Sequence, residues 1–263
     1  MSDAWDFYFA RVNEAPSSLF VDLGVRAEAP VPGRSQVLWL WLHMNAPRED
    51  GLSSGEEAPT LHAIEDVLHP ALDQACGAAF VGRITGSARR ELYYYAPTAE
   101  GFEACVREVL ARFPAYRFEL GSREDAEWKL YLELLYPGPT DLARIQNRHV
   151  VEKLAEHGDR ASLPRRIDHW AYFPTPVARA SFALAIAEHG FNVVGENLQS
   201  DTEVELPHGL QFMREDTAEW EAVNGLTEAL SELAEQHEGD YDGWECPVTK
   251  PGATSANDQG QRK

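Results

Sequence analysis

Asp168 and His169 stand side by side in a strand-like run from Arg166 to Phe173, and acid–base chemistry is the first thing such a pair suggests. A carboxylate next to an imidazole can orient a general base. Neighbouring strand residues point to opposite faces, however, so Asp168 is poorly placed to hold His169. Glu245, on a closing strand expected alongside, is the better partner. The plainer reading makes His169 a core histidine satisfied by Glu245 or by the backbone. Its rival is an uncharacterised enzyme using His169 and Glu245. His157, Asp159, His169 and His208 are candidates for a metal site, but their spacing fits no familiar metal class. The chain lacks a P-loop, G-x-G-x-x-G, H-E-x-x-H and G-x-S-x-G. No catalytic residue, metal or cofactor is therefore expected. Arg89 and Arg90 open a strand and read as surface or loop-anchoring charges.

Binding chemistry carries a stronger signal. Glu215 to Thr249 holds eleven acids and no Lys or Arg, in a chain whose net charge is −20. Within it, Trp220, Val223, Leu226, Leu230 and Leu233 recur at helical spacing and predict one buried stripe on a helix from Ala218 to His237. Glu219, Glu221, Glu228, Glu232 and Glu235 fall mainly outside that stripe. Glu232, Glu235 and Glu238 crowd the negative end of the helix dipole, and no Lys lies four residues on to compensate. A solvated face is the plain explanation; a face kept for a cationic partner is the sharper one. The closing strand, Tyr241 to Val248, is expected to pair with Arg166 to Phe173, placing Tyr241 near Phe173 and Glu245 near His169. Arg165 and Arg166 then lie at the far end from Asp240. Alternation puts Trp244, Cys246 and Val248 on one face and Tyr241 and Glu245 on the other. The expected partner-binding residues are Glu228, Glu232, Glu235, Glu238, Asp240, Tyr241, Asp242 and Glu245, facing a basic protein partner.

The elements that must position these residues come in the same order twice. Two expected strands, Phe7 to Phe9 and Ser18 to Asp22, precede a strand at Val37 to Leu42. A helix from Glu56 to Cys76, a hairpin of Phe80 to Thr85 with Glu91 to Tyr95, a helix from Gly101 to Phe113, a strand at Tyr116 to Leu120 and a short helix around Trp128 to Leu135 follow. Pro137-Gly138-Pro139 breaks the chain, and a helix from Asp141 to His157 leads into the second set. There Arg166 to Phe173, a helix from Pro176 to His189, Phe191 to Val194, Leu210 to Met213, the acidic helix and the closing strand repeat β-α-β-β-α-β. The expected fold class is α+β, two ferredoxin-like (βαββαβ) domains with antiparallel sheets. The domains are 1–136 and 137–250, with a disordered tail at 251–263. Trp39 and Trp41 share one face of their strand while Leu38, Leu40 and Leu42 fill the other, so both faces need cover, from a second sheet or a second protomer.

Composition narrows the classes. An apolar fraction of 44% over 263 residues suffices for folded cores. Cys76, Cys105 and Cys246 are scattered, which favours reduced thiols. The acidic start and the lack of any long apolar run argue against a leader or a membrane span, so a cytoplasmic, soluble protein is expected. A pI near 4.8 disfavours phosphate-backbone binding. Trp170 and Tyr172 share a strand face, as base-stacking residues do, making single-stranded RNA an alternative ligand. The strand Gly209 to Met213 lacks the basic-aromatic pattern of RNA-recognition modules.

The C-terminal half resembles the RraB family, regulators of ribonuclease E activity also called ribonuclease E inhibitors. Gly158-Asp159, Pro164-Arg165, His169-Trp170-Ala171-Tyr172-Phe173, Gly190-Phe191 and Gly239-Asp240-Tyr241-Asp242-Gly243-Trp244-Glu245 carry the resemblance. The N-terminal half resembles domain of unknown function 695. Trp5-Asp6-Phe7-Tyr8, Asp22-Leu23-Gly24, Val81-Gly82-Arg83 and Arg90-Glu91-Leu92-Tyr93-Tyr94-Tyr95 carry that likeness, which brings no activity. The first resemblance implies a non-catalytic, acidic α/β protein that binds ribonuclease E and restrains RNA turnover.

Overall fold

The computed structural model describes Ser2, Ala4–Leu198 and Glu205–Lys250, so the expected tail at 251–263 lies outside the described residues. The chain divides into two compact units, Met1–Asp141 and Leu142–Lys263. In the first, β1 (Trp5–Val12) and β2 (Ala15–Asp22) form a hairpin whose turn residues Asn13 and Glu14 both have positive φ, the twist a two-residue hairpin needs. Then come β3 (Gln36–His43), α1 (Ala58–Cys76), β4 (Ala79–Gly86), β5 (Arg89–Ala96), α2 (Phe102–Leu110) and β6 (Phe118–Glu124). A π-helical turn, Leu130–Leu135, follows. The sheet is antiparallel in the order β1-β2-β4-β5-β3-β6. Its last four strands are the expected ferredoxin-like set, and the leading hairpin extends it beyond β4.

Both faces of β3 are apolar, one fully covered by helices and the other covered in part. Leu38, Leu40 and Leu42 pack under Leu61, Ile64, Leu68 and Leu72 of α1 and Val106 of α2. The other face needs neither a second sheet nor a second protomer over much of its area. Trp128, 1% exposed, stacks on Tyr95 at 4.0 Å, and the Tyr8 and Tyr131 hydroxyls donate to the carbonyls of Leu135 and Asp22. Trp39 and Trp41 lean on each other at 4.7 Å, and the Arg89 guanidinium lies 4.2 Å over Trp41. Arg89 thus anchors an aromatic ring. Its neighbour Arg90 is not a surface charge: it is 3% exposed and bonds Glu65 of α1 at 2.7 Å, with Arg83 as a second partner to the same carboxylate. Strand alternation turned Arg90 inward, and only a buried acid on the helix above makes that tolerable.

In the second unit, α3 (Pro139–Glu156), which begins in the last residues of the first, leads to β7 (Arg165–Phe173), α4 (Pro176–Glu188), β8 (Asn192–Leu198), β9 (His208–Asp216), α5 (Trp220–Gln236) and β10 (Asp240–Glu245). Thr175 caps α4 by accepting from the Ala178 amide, and Pro176 fits the first helical position. The antiparallel order is β10-β7-β9-β8, again ferredoxin-like. Ile167, His169, Ala171 and Phe173 of β7 point inward, where Phe173 packs with Phe182, Leu210, Phe212 and Leu230. Asp168, Trp170 and Tyr172 occupy the opposite face and are half-buried.

Candidate partner-binding site

The closing strand is where the sequence reading needs most revision. β10 pairs with β7 as Asp240 with Tyr172, Tyr241 with Ala171, Gly243 with Trp170, Trp244 with His169 and Glu245 with Asp168. A bulge between Tyr241 and Gly243 inserts one residue, and Gly243 takes a φ of 136° that side-chain-bearing residues rarely adopt. The inserted residue breaks the alternation. Tyr241 and Trp244 therefore both point to the helix side, whereas simple period-two reading had separated them.

Tyr241 is consequently not a free contact residue. It packs on the core, and its hydroxyl meets His169 Nδ1 at 2.8 Å. Glu245 is not the partner of His169 either; it is exposed, opposite Asp168 in the register. His169 is 1% exposed and stacks on Phe212. Burial holds its imidazole down at about 4, with Asp216 opposing the shift and Arg214 adding to it. Burial, and then Asp242, raise the Tyr241 phenol above its ordinary range. At neutral pH the pair is thus an uncharged Tyr–His hydrogen bond, which orders the core.

That pair has a pH consequence. The folded-state imidazole titrates below its ordinary 6.5, so its contribution to stability is whole above pH 6.5. It falls away as pH drops from 6.5 towards 4, because only the unfolded chain takes the proton. Urea melts of the intact chain at pH 7 and pH 4.5 are expected to differ by up to about 3 kcal/mol in the C-terminal transition. The difference should shrink in His169→Gln, and an equal loss in that variant would assign it elsewhere.

The candidate metal set is dispersed into other roles. Asp159 is ion-paired with Arg165, with side chains 1% and 2% exposed, and also accepts from the Thr249 amide at 2.6 Å. His157 bonds the Lys153 carbonyl, and His208 sits opposite Phe173 in the sheet. Among the described residues no group of three or more His, Cys, Asp or Glu is placed to hold a metal.

Helix α5 is rotated from the predicted stripe. Val223, Asn224, Thr227, Leu230 and Ala234 are its buried residues. Asn224 and Thr227 are buried because α3 presents Asn147, whose amide donates to both at 2.9 Å and accepts from Trp244 Nε1 at 2.8 Å. One amide thus ties α3, α5 and β10, a role invisible to a hydrophobicity pattern. Arg144 of α3 ion-pairs Glu228, so that carboxylate is compensated after all. Glu232, Glu235, Glu238, Asp240, Asp242 and Glu245 are exposed, with no ion pair among the described residues. They form an acidic band from the end of α5 along β10. Beside it, Phe191, Leu226, Leu230 and Leu233 line an open cleft of about 220 Å³ that Glu232 and Arg214 also border.

Two ferredoxin-like units in tandem make this a two-domain α+β protein. The chain belongs to the family of unknown function DUF695, whose model matches residues 3–136. Residues 144–246 match the family model described as regulator of ribonuclease activity B, RraB, as the two halves of the sequence suggested. No curated protein matches the chain. A crystal structure of an unknown protein from Galdieria sulphuraria aligns over 82% of this chain and 99% of its own at 11% identity, with a TM-score of 0.23. At that score the likeness carries no weight for fold or function. No helix among the described residues is long and apolar enough to cross a membrane.

Proposed function

We propose that this is a non-catalytic, cytoplasmic regulatory protein whose C-terminal domain docks on a basic segment of a ribonuclease of the E type and restrains RNA turnover. The RraB match supports the regulatory role, and the acidic band supports a basic partner. The 1–136 and 137–250 division is proposed as two domains, of which the second carries the contact. Trp170 and Tyr172 are better suited to protein than to RNA. Their β10 register neighbours are Gly243 and Asp240, and Asp168 and Glu245 stand on the same face. Arg166 is held by Asp168 at 2.6 and 2.7 Å, so phosphates would meet carboxylates there.

Glu238 is the observation that carries the proposal. It stands just past the C-terminus of α5 with φ 62°, while the Gly239 amide closes back on the Ala234 carbonyl at 2.8 Å. This is the helix-ending position that glycine fills best, and it lies at the negative end of the dipole. A carboxylate there is doubly unfavourable for folding, which fits retention for contact. Glu238→Gly is expected to stabilise the fold by about 1 kcal/mol while weakening binding to purified ribonuclease E. Neutralising Glu232, Glu235 and Asp240 together should weaken that binding at least about tenfold and flatten its salt dependence. Binding that ignores both salt and these substitutions would remove the electrostatic mechanism, and no binding would remove the partner.

A further inference from the structure

Leu226 and Leu233 belong to the apolar stripe that helical periodicity sends to the core, yet the fold leaves them only half-buried. With Leu230 and Phe191 they line the cleft between α5 and the start of β8. Its volume, about 220 Å³, falls below the roughly 300–1,000 Å³ of pockets that enclose a small-molecule ligand. It suits a single large side chain, the way interface anchors fill pockets.

The rim selects for charge. Arg214 is already occupied: it stacks 4.2 Å over Phe191, bonds Asp216 at 2.8 and 3.1 Å and donates to the His189 carbonyl at 2.9 Å. Glu232, on the facing helix, carries no ion pair among the described residues, and Glu235 is exposed one turn further on. The charge left for a partner at this mouth is therefore negative.

We infer that this cleft is the anchor of the docking surface, taking a large apolar side chain from a protein segment whose adjacent Arg or Lys pairs with Glu232. The inference rests on the proposed regulatory reading and adds the place and chemistry of the grip. Charge on the band speeds and orients encounter, while the buried anchor sets the lifetime of the complex.

The test uses the full chain and two short labelled peptides, one alternating Arg with Leu and one alternating Arg with Ser. Fluorescence anisotropy at physiological salt is expected to show the Arg–Leu peptide binding at least about tenfold tighter, equivalent to about 1.4 kcal/mol. Ala229→Trp, at an exposed position lining the cleft, should abolish the preference and leave the weak Arg–Ser binding intact. Methyl NMR of the unmodified protein supplies a readout independent of that variant's folding. The Leu226, Leu230 and Leu233 signals should move with the Arg–Leu peptide. Equal binding of the two peptides, or bound Arg–Leu peptide with those methyls unmoved, would overturn the cleft while leaving the acidic surface standing. Failure of both peptides to bind would overturn both.

Discussion

Replacing Glu65 with alanine is expected to remove about 3–5 kcal/mol from the N-terminal unit, the range for stripping one partner from a buried ion pair. Glu65 is 4% exposed and carries Arg90, itself 3% exposed, together with Arg83. Without the carboxylate, two guanidinium groups beneath α1 would lose their ion-pair partner, and Arg90 Nε already lacks a partner among the described residues. Burial alone would raise the Glu65 carboxyl, but His69, Arg83 and Arg90 outweigh it and hold it at about 2. Because this lies below the ordinary 4.5, the contribution is whole above pH 4.5 and is lost as pH falls from there through about 2. The exposed Glu103–Arg107 pair supplies the control, since Glu103→Ala should cost under about 0.5 kcal/mol. Urea denaturation followed by tryptophan fluorescence reads both. A Glu65→Ala midpoint matching that control would mean that the two arginines find other partners and that the pair does not hold α1 to the sheet.

A loss of similar size is expected from Asp159→Ala in the C-terminal unit, about 3–5 kcal/mol. Arg165 is fixed on all sides, to Asp159 and to the carbonyls of Arg160 and Leu163, and its side chain is 2% exposed. Asp159 also receives the Thr249 amide. It therefore joins the turn after α3 to the chain leaving β10. Arg166→Ala, one residue along, disrupts a pair in which Arg166 is 47% exposed and should cost less than about 1 kcal/mol. If the two variants melted alike, the buried pair would be worth no more than a surface one. The acid responses of the two units also separate, since His169 acts between pH 6.5 and 4 and Glu65 below pH 4.5.

Much of the fold was legible because its signals are periodic. The β-α-β-β-α-β order, the paired hairpins and the inward set of β7 follow from apolar spacing and from Gly and Pro punctuation. Failures occurred where a polar group does a core residue's job. Arg90 was read as surface because charge usually means exposure, and only Glu65 above it reverses that rule. Asn224 and Thr227 fall outside the stripe that apolar spacing marks, because nothing local shows that Asn147 awaits them. Glu228 was read as uncompensated because Arg144 lies on another helix. The short helix expected around Trp128 to Leu135 is the π-helical turn, but the cover expected over Trp39 and Trp41 is only partial: the two rings lean on each other and on Arg89 and stay half-buried. The acidic band itself was plain from composition, but Tyr241 could not be sorted from it without the bulge.

That bulge makes β10 a strand read in two frames. Up to Tyr241 the inward residues fall on one parity of the sequence, and from Trp244 they fall on the other. A single extra residue thus lets a six-residue strand give both of its aromatic rings to the core, Tyr241 to His169 and Trp244 to Asn147. Asp242 takes up the surplus position and is thrown outward with no place in the pleat to satisfy. A side chain at 243 would find open space but be strained at that φ, a strain relieved by pressing the strand back into one frame. The chain would then have to choose which of its two rings to keep inside.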